Sequence, residues 1–534
     1  MKKNRFLPYA LLAVGPAVFA AQPPSAGNLQ QIPQVPTQQQ AVPALDVKPA
    51  SPAGMAAPDR SRIIVNRLRI TGAKVYSEAD LLAVTGFQPG RELSLTDLRG
   101  MAARIADYYH RSGYFVAQAY LPAQDIKGGV VTIAVIDGQY GKVTLNNQTN
   151  VSNALANNLL SGLNSGDVVA SGPLENRLLL LSDLPGVRVN STLVPGATVG
   201  SSDLIVNLTP GRRISGSIDA DNAGNRYTGE YRIGSTLNFN ELLGLGDVAS
   251  LRSLTSGDGL NYVRASYQLQ LGKATVGAAY SKMRFELGEE FKGANSGTVK
   301  VASLYGSYPI NRSRNDNLYA GLNYDDKSFE DRVEPNKEAQ VLTASLYGNR
   351  RDSLGGAGVV AYSLALSAGN IDGASANTNG HFSKLGFSLS RLQRVTDTVS
   401  LSAAVNGQLA SKRLDSSEQM ELGGMYGVRA YPEGEGYGDQ GYVVNLEARM
   451  LVPQFSNSMP GQLQLIGFVD AGTVSLHKEA GTRRTLSGAG VGFNWSDTNN
   501  FMVRAYYAVK IGDEKATSAP DKSGRFWIQA VKYF

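Results

Sequence analysis

Residues 427–441, GVRAYPEGEGYGDQG, lie between two segments that read as β-strands. The stretch is rich in glycine, proline and acid and is not expected to pack as a core element. Its head nevertheless holds one arginine, Arg429, between Val428 and the pair Ala430–Tyr431. A guanidinium is a planar fork that meets a carboxylate with two hydrogen bonds, which an ammonium cannot do. Left in water, the same arginine does little, since an exposed ion pair contributes only about 0–1 kcal/mol. Both readings stand on these residues alone. Other chemistry-bearing patterns are weaker. In DADNAGNRYTGE, Asp219, Asp221, Gly224 and Glu230 fall at positions of a calcium loop, but Ala223 occupies a ligand position and no flanking helices are predicted. A hairpin turn is the expectation there. GAGVGFN, around Gly488, has no helix after it to hold a phosphate. His110, His381 and His477 share no metal spacing, and there is no Gly-x-Ser-x-Gly elbow. No catalytic residue, metal or other cofactor is expected, and the chain does not read as an enzyme.

The elements that must carry such a loop follow from composition. Lys2, Lys3 and Arg5 precede an apolar run from Phe6 to Ala20, with Val18 and Ala20 forming a small-residue cleavage pattern, so residues 1–20 read as a secretory signal peptide. No later run is long and apolar enough for a spanning helix; a membrane protein of this sequence must be a closed barrel. The 534 residues include no cysteine, so an exported chain is held here by strand pairing and packing alone. A net charge of +6, spread along the chain, gives no nucleic-acid footprint. Residues 21–60 are rich in Pro, Gln, Ala and Ser and read as an extended, disordered linker, with a short helix near Asn28–Gln31 cut off by Pro33 and Pro36.

Residues 61–137 read as strand, helix, helix, strand, strand. RIIVNRLRIT alternates; Ser77 with Asp80 and Ser94 with Asp97 mark two helix starts, and Gly113 sits where a C-terminal cap is expected. YFVAQAYL and GVVTIAVIDG complete a small sheet. Residues 138–210 repeat this order, with a helix in NALANNLLSGL, a second over residues 173–184, and strands in GVRVNSTLV and DLIVNLT. Residues 211–534 consist of segments of about ten residues that alternate apolar with polar or small, separated by Gly/Asn/Asp turns. Tyr442, Val444, Leu446, Ala448 and Met450 share one face, with Asn445, Glu447 and Arg449 opposite. A soluble sandwich would alternate too; the small, polar second face, the export signal and the strand-like ending RFWIQAVKYF favour a lipid-facing barrel.

Several separate motifs carry a resemblance. ADYYHRSGYFVAQAYLPAQDIKGGVVTIAVIDG (with Tyr109, Gly113, Tyr114, Leu121, Pro122 and Gln124), DNAGNRYTGEYR, NELLGLGDVASL, GVRAYPEGEGYGDQGYVVNLEAR and GFVDAGTV together resemble the outer-membrane transporters of two-partner secretion, of the ShlB/FhaC/HecB type, over residues 61–534. The resemblance implies a mainly β chain: two periplasmic α+β POTRA domains, at residues 61–137 and 138–210, and a transmembrane antiparallel β-barrel of sixteen strands at residues 211–534. It implies a loop motif (Val428, Arg429, Ala430, Tyr431) folded back into the barrel, and an inward strand motif (Phe468, Asp470, Gly472) whose aspartate pairs with Arg429. Parity agrees, since Gln462, Gln464, Phe468 and Asp470 share the face opposite Leu463, Leu465, Val469 and Ala471. Ala430 departs from the glycine usual in this motif, which puts the local backbone in question. The implied function is export, without ATP, of an unfolded partner exoprotein carrying an N-terminal secretion domain, by a monomer in the outer membrane of a Gram-negative bacterium, in contact with its lipid. A barrel-insertion factor of the same superfamily, which usually carries more POTRA units, and a passive uptake channel are the alternatives.

Overall fold

A computed structural model describes residues 26–29, 44–47, 62–293, 295–333, 335–477, 479 and 482–534. The signal peptide and most of the linker lie outside these residues. The chain divides into two compact units, residues 41–211 and a unit containing residues 212–534 with the helix Ala26–Leu29.

In the first unit, RIIVNRLRIT is not one strand. It breaks at Asn66, whose N–H and that of Arg67 both donate to the Gly129 carbonyl. Arg62–Val65 then pairs with Arg91–Ser94, while Arg67–Thr71 runs parallel to Val130–Ile136, which pairs in turn with Gln118–Tyr120. The helix Leu95–Arg111 lays Leu98, Met101, Ala102, Ile105 and Tyr109 into the core. Its start is a reciprocal box: Asp97 N–H donates to Ser94 Oγ at 3.1 Å, and Ser94 N–H donates to Asp97 Oδ2 at 2.9 Å. These bonds from Ser94 hold the Asp97 carboxyl below its ordinary value of 3.8. The cap therefore contributes fully above the unfolded value and is lost as pH falls through the lower folded value. At Ser77 only half of such a box forms, the Asp80 N–H donating to Ser77 Oγ.

The second α+β fold packs the helices Asn153–Leu160 and Ser171–Ser182 on a sheet ordered Ala44–Val47, Val187–Pro195, Ser201–Pro210, Gln139–Asn147. The first of these strands corrects the reading of residues 21–60 as an extended, disordered linker with no more than a short helix. Ala44–Val47 runs parallel to Asn190–Leu193 and sets Leu45 against the core, because an open sheet edge accepts any extended segment with an apolar residue in the right phase. The linker also holds the helix Ala26–Leu29, which starts before the predicted Asn28.

Residues 214–533 form a closed antiparallel barrel of sixteen strands, each paired with the next. Closure joins Ser217–Asp221 of the first strand to Gln529–Tyr533 of the last. The terminal Phe534 exchanges both backbone hydrogen bonds with Gly216, and beyond the ladder Asn222 substitutes a side chain for backbone, accepting from Ile528 N–H and donating to the Phe526 carbonyl. Leu304, Leu322, Leu346, Leu366, Leu389, Leu401 and Leu446 face outward and are exposed, a belt suited to lipid. Among the described residues no helix is long and apolar enough to cross a membrane. Because the chain enters at Ile214 and strands alternate in direction, residues 411–439, after the eleventh strand (Val399–Ala410), leave from the far end.

Candidate functional site

The long loop does not stay outside. Met420–Glu421 pairs with Tyr437–Gly438, and between them the chain turns back on itself, Val428 N–H donating to Leu422 O at 2.8 Å and Tyr431 N–H to Val428 O at 3.0 Å. Leu422, Val428, Ala430 and Tyr431 are buried in one cluster with Val443, Phe468, Leu486, Tyr506 and Trp527, which line the inner face of the wall. The loop thus fills part of the lumen by ordinary apolar packing, and that packing delivers Arg429 to the wall.

There the guanidinium meets Asp470, on the thirteenth strand (Gln462–Ser475), through two parallel bonds: Nε to Oδ2 at 2.8 Å and Nη2 to Oδ1 at 2.7 Å. The Arg429 backbone N–H adds a third bond to Oδ2 at 3.1 Å. Nη1 reaches Glu447 Oε1 on the twelfth strand (Gln440–Val452) at 2.8 Å, and Glu447 is held from its other side by Arg449. The guanidinium lies 3.5 Å from the centre of the Phe468 ring, with Tyr506 at 4.9 Å. Asn445 bridges the Asp470 carboxylate and the Gly427 carbonyl, and Trp527 Nε1–H donates to the Arg429 carbonyl at 2.7 Å. The Arg429 and Asp470 side chains are 5 % and 0 % exposed, so the weak-pair argument for solvated arginines does not apply.

Ala430 fits without strain. It is absent from the residues with positive φ, and its methyl faces Gly488, where a side chain would collide with it at 2.4 Å. A methyl on the loop is matched by its lack on the wall. Gly472 likewise leaves room for Leu422, and Tyr431 OH donates to the Glu514 carbonyl at 3.0 Å.

The loop holds on elsewhere too, through residues that carried no local signal. The Glu435 carboxylate, fully buried, accepts from the N–H and hydroxyl groups of Thr517 and Ser518 and pairs with Arg484. Glu418 pairs with Lys327 at 2.7 Å and Lys384 at 2.8 Å, and Asp415 with Lys337 at 2.8 Å. Glu447 and Asn445 could have been found, since both lie on the polar face of their strand; Trp527, Glu435 and Glu418 could not, because nothing local marks them and the partners of their side chains are 34 to 98 residues away. Two of the three acids of the calcium-like stretch are engaged by arginines: Asp219 by Arg252, and Asp221 by Arg232 at 2.9 Å.

The POTRA 1 motif residues are placed elsewhere and do different work. Tyr109 is fully buried and packs edge-on against Tyr76 and Tyr114. Gln124 acts as a substitute strand, accepting from Thr132 N–H and donating to Thr132 O, both at 2.7 Å, so that Leu121 and Pro122 are drawn onto the sheet. Gly113 joins the two α+β folds: its carbonyl accepts from Ser171 N–H at 2.9 Å, its φ is +93°, and a Cβ there would lie 2.7 Å from Ser171 Oγ. Gly113→Ala is therefore expected to cost about 1–2 kcal/mol from the left-handed backbone, apart from the clash. Limited proteolysis should show faster cleavage near Gly113 than in the parent; unchanged cleavage would refute that joint.

Comparison with known proteins matches this architecture. The model of the haemolysin secretion/activation protein family ShlB/FhaC/HecB covers residues 200–495, and that of the ShlB-type POTRA domain covers residues 63–138. The heme/hemopexin transporter protein HuxB of Haemophilus influenzae is 29 % identical over 472 residues, 83 % of this chain and 82 % of its own. The outer membrane transporter CdiB of Dickeya dadantii is 24 % identical, covering 80 % and 79 %. The fold resembles that of CdiB from Escherichia coli, with a TM-score of 0.71 at 20 % identity over 91 % of this chain and 93 % of that one. A sixteen-strand barrel, N-terminal POTRA folds and a family match over more than half the chain agree: the chain belongs to the ShlB/FhaC/HecB family of secretion and activation proteins, outer-membrane transporters whose POTRA domains lie in the periplasm.

Proposed function

We propose that this protein exports one unfolded partner exoprotein through its barrel, and that Arg429 and Asp470 set the resting position of the loop that occupies the path. The observation that carries this is a long loop from the far end, folded into a closed barrel and gripped there by a buried, bidentate ion pair. Such a grip is strong enough to hold one state and local enough to be undone. No ATP site is needed, because folding of the cargo outside makes passage directional. In the periplasm, the strand Gln118–Tyr120 is an edge of its sheet, with Tyr120 exposed. An extended segment of cargo could pair there through main-chain bonds with little demand on sequence. The named relatives are a heme/hemopexin transporter protein and outer membrane transporters, and the partner proposed for this chain is a large secreted protein. The exposed leucine belt is its lipid contact, and a barrel closed on itself needs no second copy.

The test is co-expression with a candidate exoprotein that carries an N-terminal secretion domain. Cargo should appear in the medium only when this chain is present, while levels of other outer-membrane barrels stay unchanged. A fall in those other barrels would favour the assembly-factor reading, and cargo release without this chain would refute the export reading.

A further inference from the structure

The inner face of a transport barrel is ordinarily polar, yet here a second apolar stretch lies apart from the wall under the loop tip. Near the far end, five inward side chains stand directly opposite one another on successive strands: Leu254 faces Tyr262, Tyr262 faces Met283, Met283 faces Val299, and Val299 faces Phe329. Phe382, three strands on, belongs to the same cluster. The row crosses the third to the seventh strands at right angles to their length, an apolar arc on the wall. Leu254, Met283, Val299, Phe329 and Phe382 are all buried, although they face the inside of a hollow body. Two segments that enter the lumen cover them, Ala26 and Leu29 of the N-terminal helix and Leu414 of the inserted loop, together with Leu287, Phe291 and Tyr227 of the far-end loops. The helix lies against the sixth and seventh strands (Ser296–Arg312 and Asp316–Asp331) and the turn Ser416–Glu418.

Both covering segments occupy space that a chain in transit must use. Once they move, the arc either faces water, at a cost in apolar hydration, or is covered by the chain that replaced them. We infer that the arc, covered at rest by the helix Ala26–Leu29 and by Leu414, is a docking strip for apolar side chains of the exported chain. This rests on the export reading above. The partner chemistry is an extended polypeptide with apolar residues at alternate positions, because an extended chain shows one such series to one face. A wholly polar chain gains nothing from the strip. Contacts of this kind are non-directional, so successive apolar residues can exchange on the strip without a sequence-specific fit. The strip would thus brake apolar segments during passage.

The test uses the full chain carrying Leu29→Glu, which sets a carboxylate against the arc and disfavours the resident helix. In a planar bilayer, two peptides of equal length are driven by voltage from the POTRA side: alternating Val and Lys, and alternating Ser and Lys. Current blocks by the Val–Lys peptide should last about tenfold longer than those of the Ser–Lys peptide. The difference should vanish in a Met283→Ser, Val299→Ser, Phe329→Ser background and shrink with the shape-conserving Val299→Thr alone. Equal block durations in the Leu29→Glu parent, with both peptides entering, overturn the docking strip and leave export through the barrel standing. Absence of blocks by either peptide overturns both.

Discussion

Arg429→Ala should lower release of the partner into the medium by at least about tenfold, while the barrel keeps its heat-dependent mobility on gels. The arginine side chain supplies four contacts at once: two bonds to Asp470, one to Glu447, and its face to Phe468. Removing it leaves Asp470, fully buried, with Asn445 as its remaining side-chain donor, and loosens Glu447 from the loop. Breaking one side of a buried pair costs about 3–5 kcal/mol, most of it from the stranded charge. The wall can bear this, because the ladder on both sides of Asp470 is intact, pairing it with Asn445 on one strand and Gly488 on the other. The loop cannot, since its tip, brought to the wall by apolar packing, is fixed there by this contact. Arg429→Lys should fail nearly as badly: it keeps the charge but loses the fork and the flat face over Phe468. Arg429→Ala combined with Asp470→Ala should be less damaging to barrel stability than the sum of the two, as no charge is then left alone. Release from Arg429→Lys equal to the parent would show that charge alone positions the loop.

How much of this was legible differs by element. The barrel strands could be read because lipid outside and a lumen inside impose a period of two over many segments; Tyr442, Leu446 and Met450 do face outward. RIIVNRLRIT misled for the opposite reason. Its alternation continues across Asn66, but the backbone there turns to bond Gly129, a partner that local pattern does not reveal. The strand Ala44–Val47 was hidden within Pro- and Gln-rich sequence because its stability comes from a distant edge, not from its own residues. The Arg429–Asp470 contact was indicated by parity and by resemblance, yet its burial depends on the apolar packing of Leu422, Val428 and Tyr431, which in sequence looked like an ordinary loop. Glu418, one acid in a polar stretch, gave no sign of its two lysines.

That acid is the site of the second large effect. Glu418→Ala should raise the open-channel conductance of the purified protein in planar bilayers and lower its unfolding temperature, whereas Arg429→Ala acts chiefly on cargo release. The Glu418 side chain is 2 % exposed and faces two ammonium groups, from Lys327 on the seventh strand and Lys384 on the tenth (Gly380–Arg394). Its backbone carbonyl also accepts from Lys384 at 3.1 Å and from Gln408 at 3.0 Å. Alanine leaves two buried cations near one another without their anion, a loss of about 3–5 kcal/mol or more. Water entering to solvate them should detach the base of the loop from that wall. Glu418→Gln with Lys327→Met and Lys384→Met should recover most of the thermal loss, because uncharged side chains of similar length need no counter-charge, yet it should not recover the low conductance if the ion pairs are what fasten the loop. Low conductance in that triple variant would mean that packing alone closes the path. The loop is therefore a strut fastened at several separate points: its tip grips the twelfth and thirteenth strands, Glu435 holds Arg484, Thr517 and Ser518, and its base grips the seventh, eighth and tenth strands. Freeing the tip leaves the others attached, and freeing the base leaves the tip locked, so the loop clears the lumen only when all of them let go.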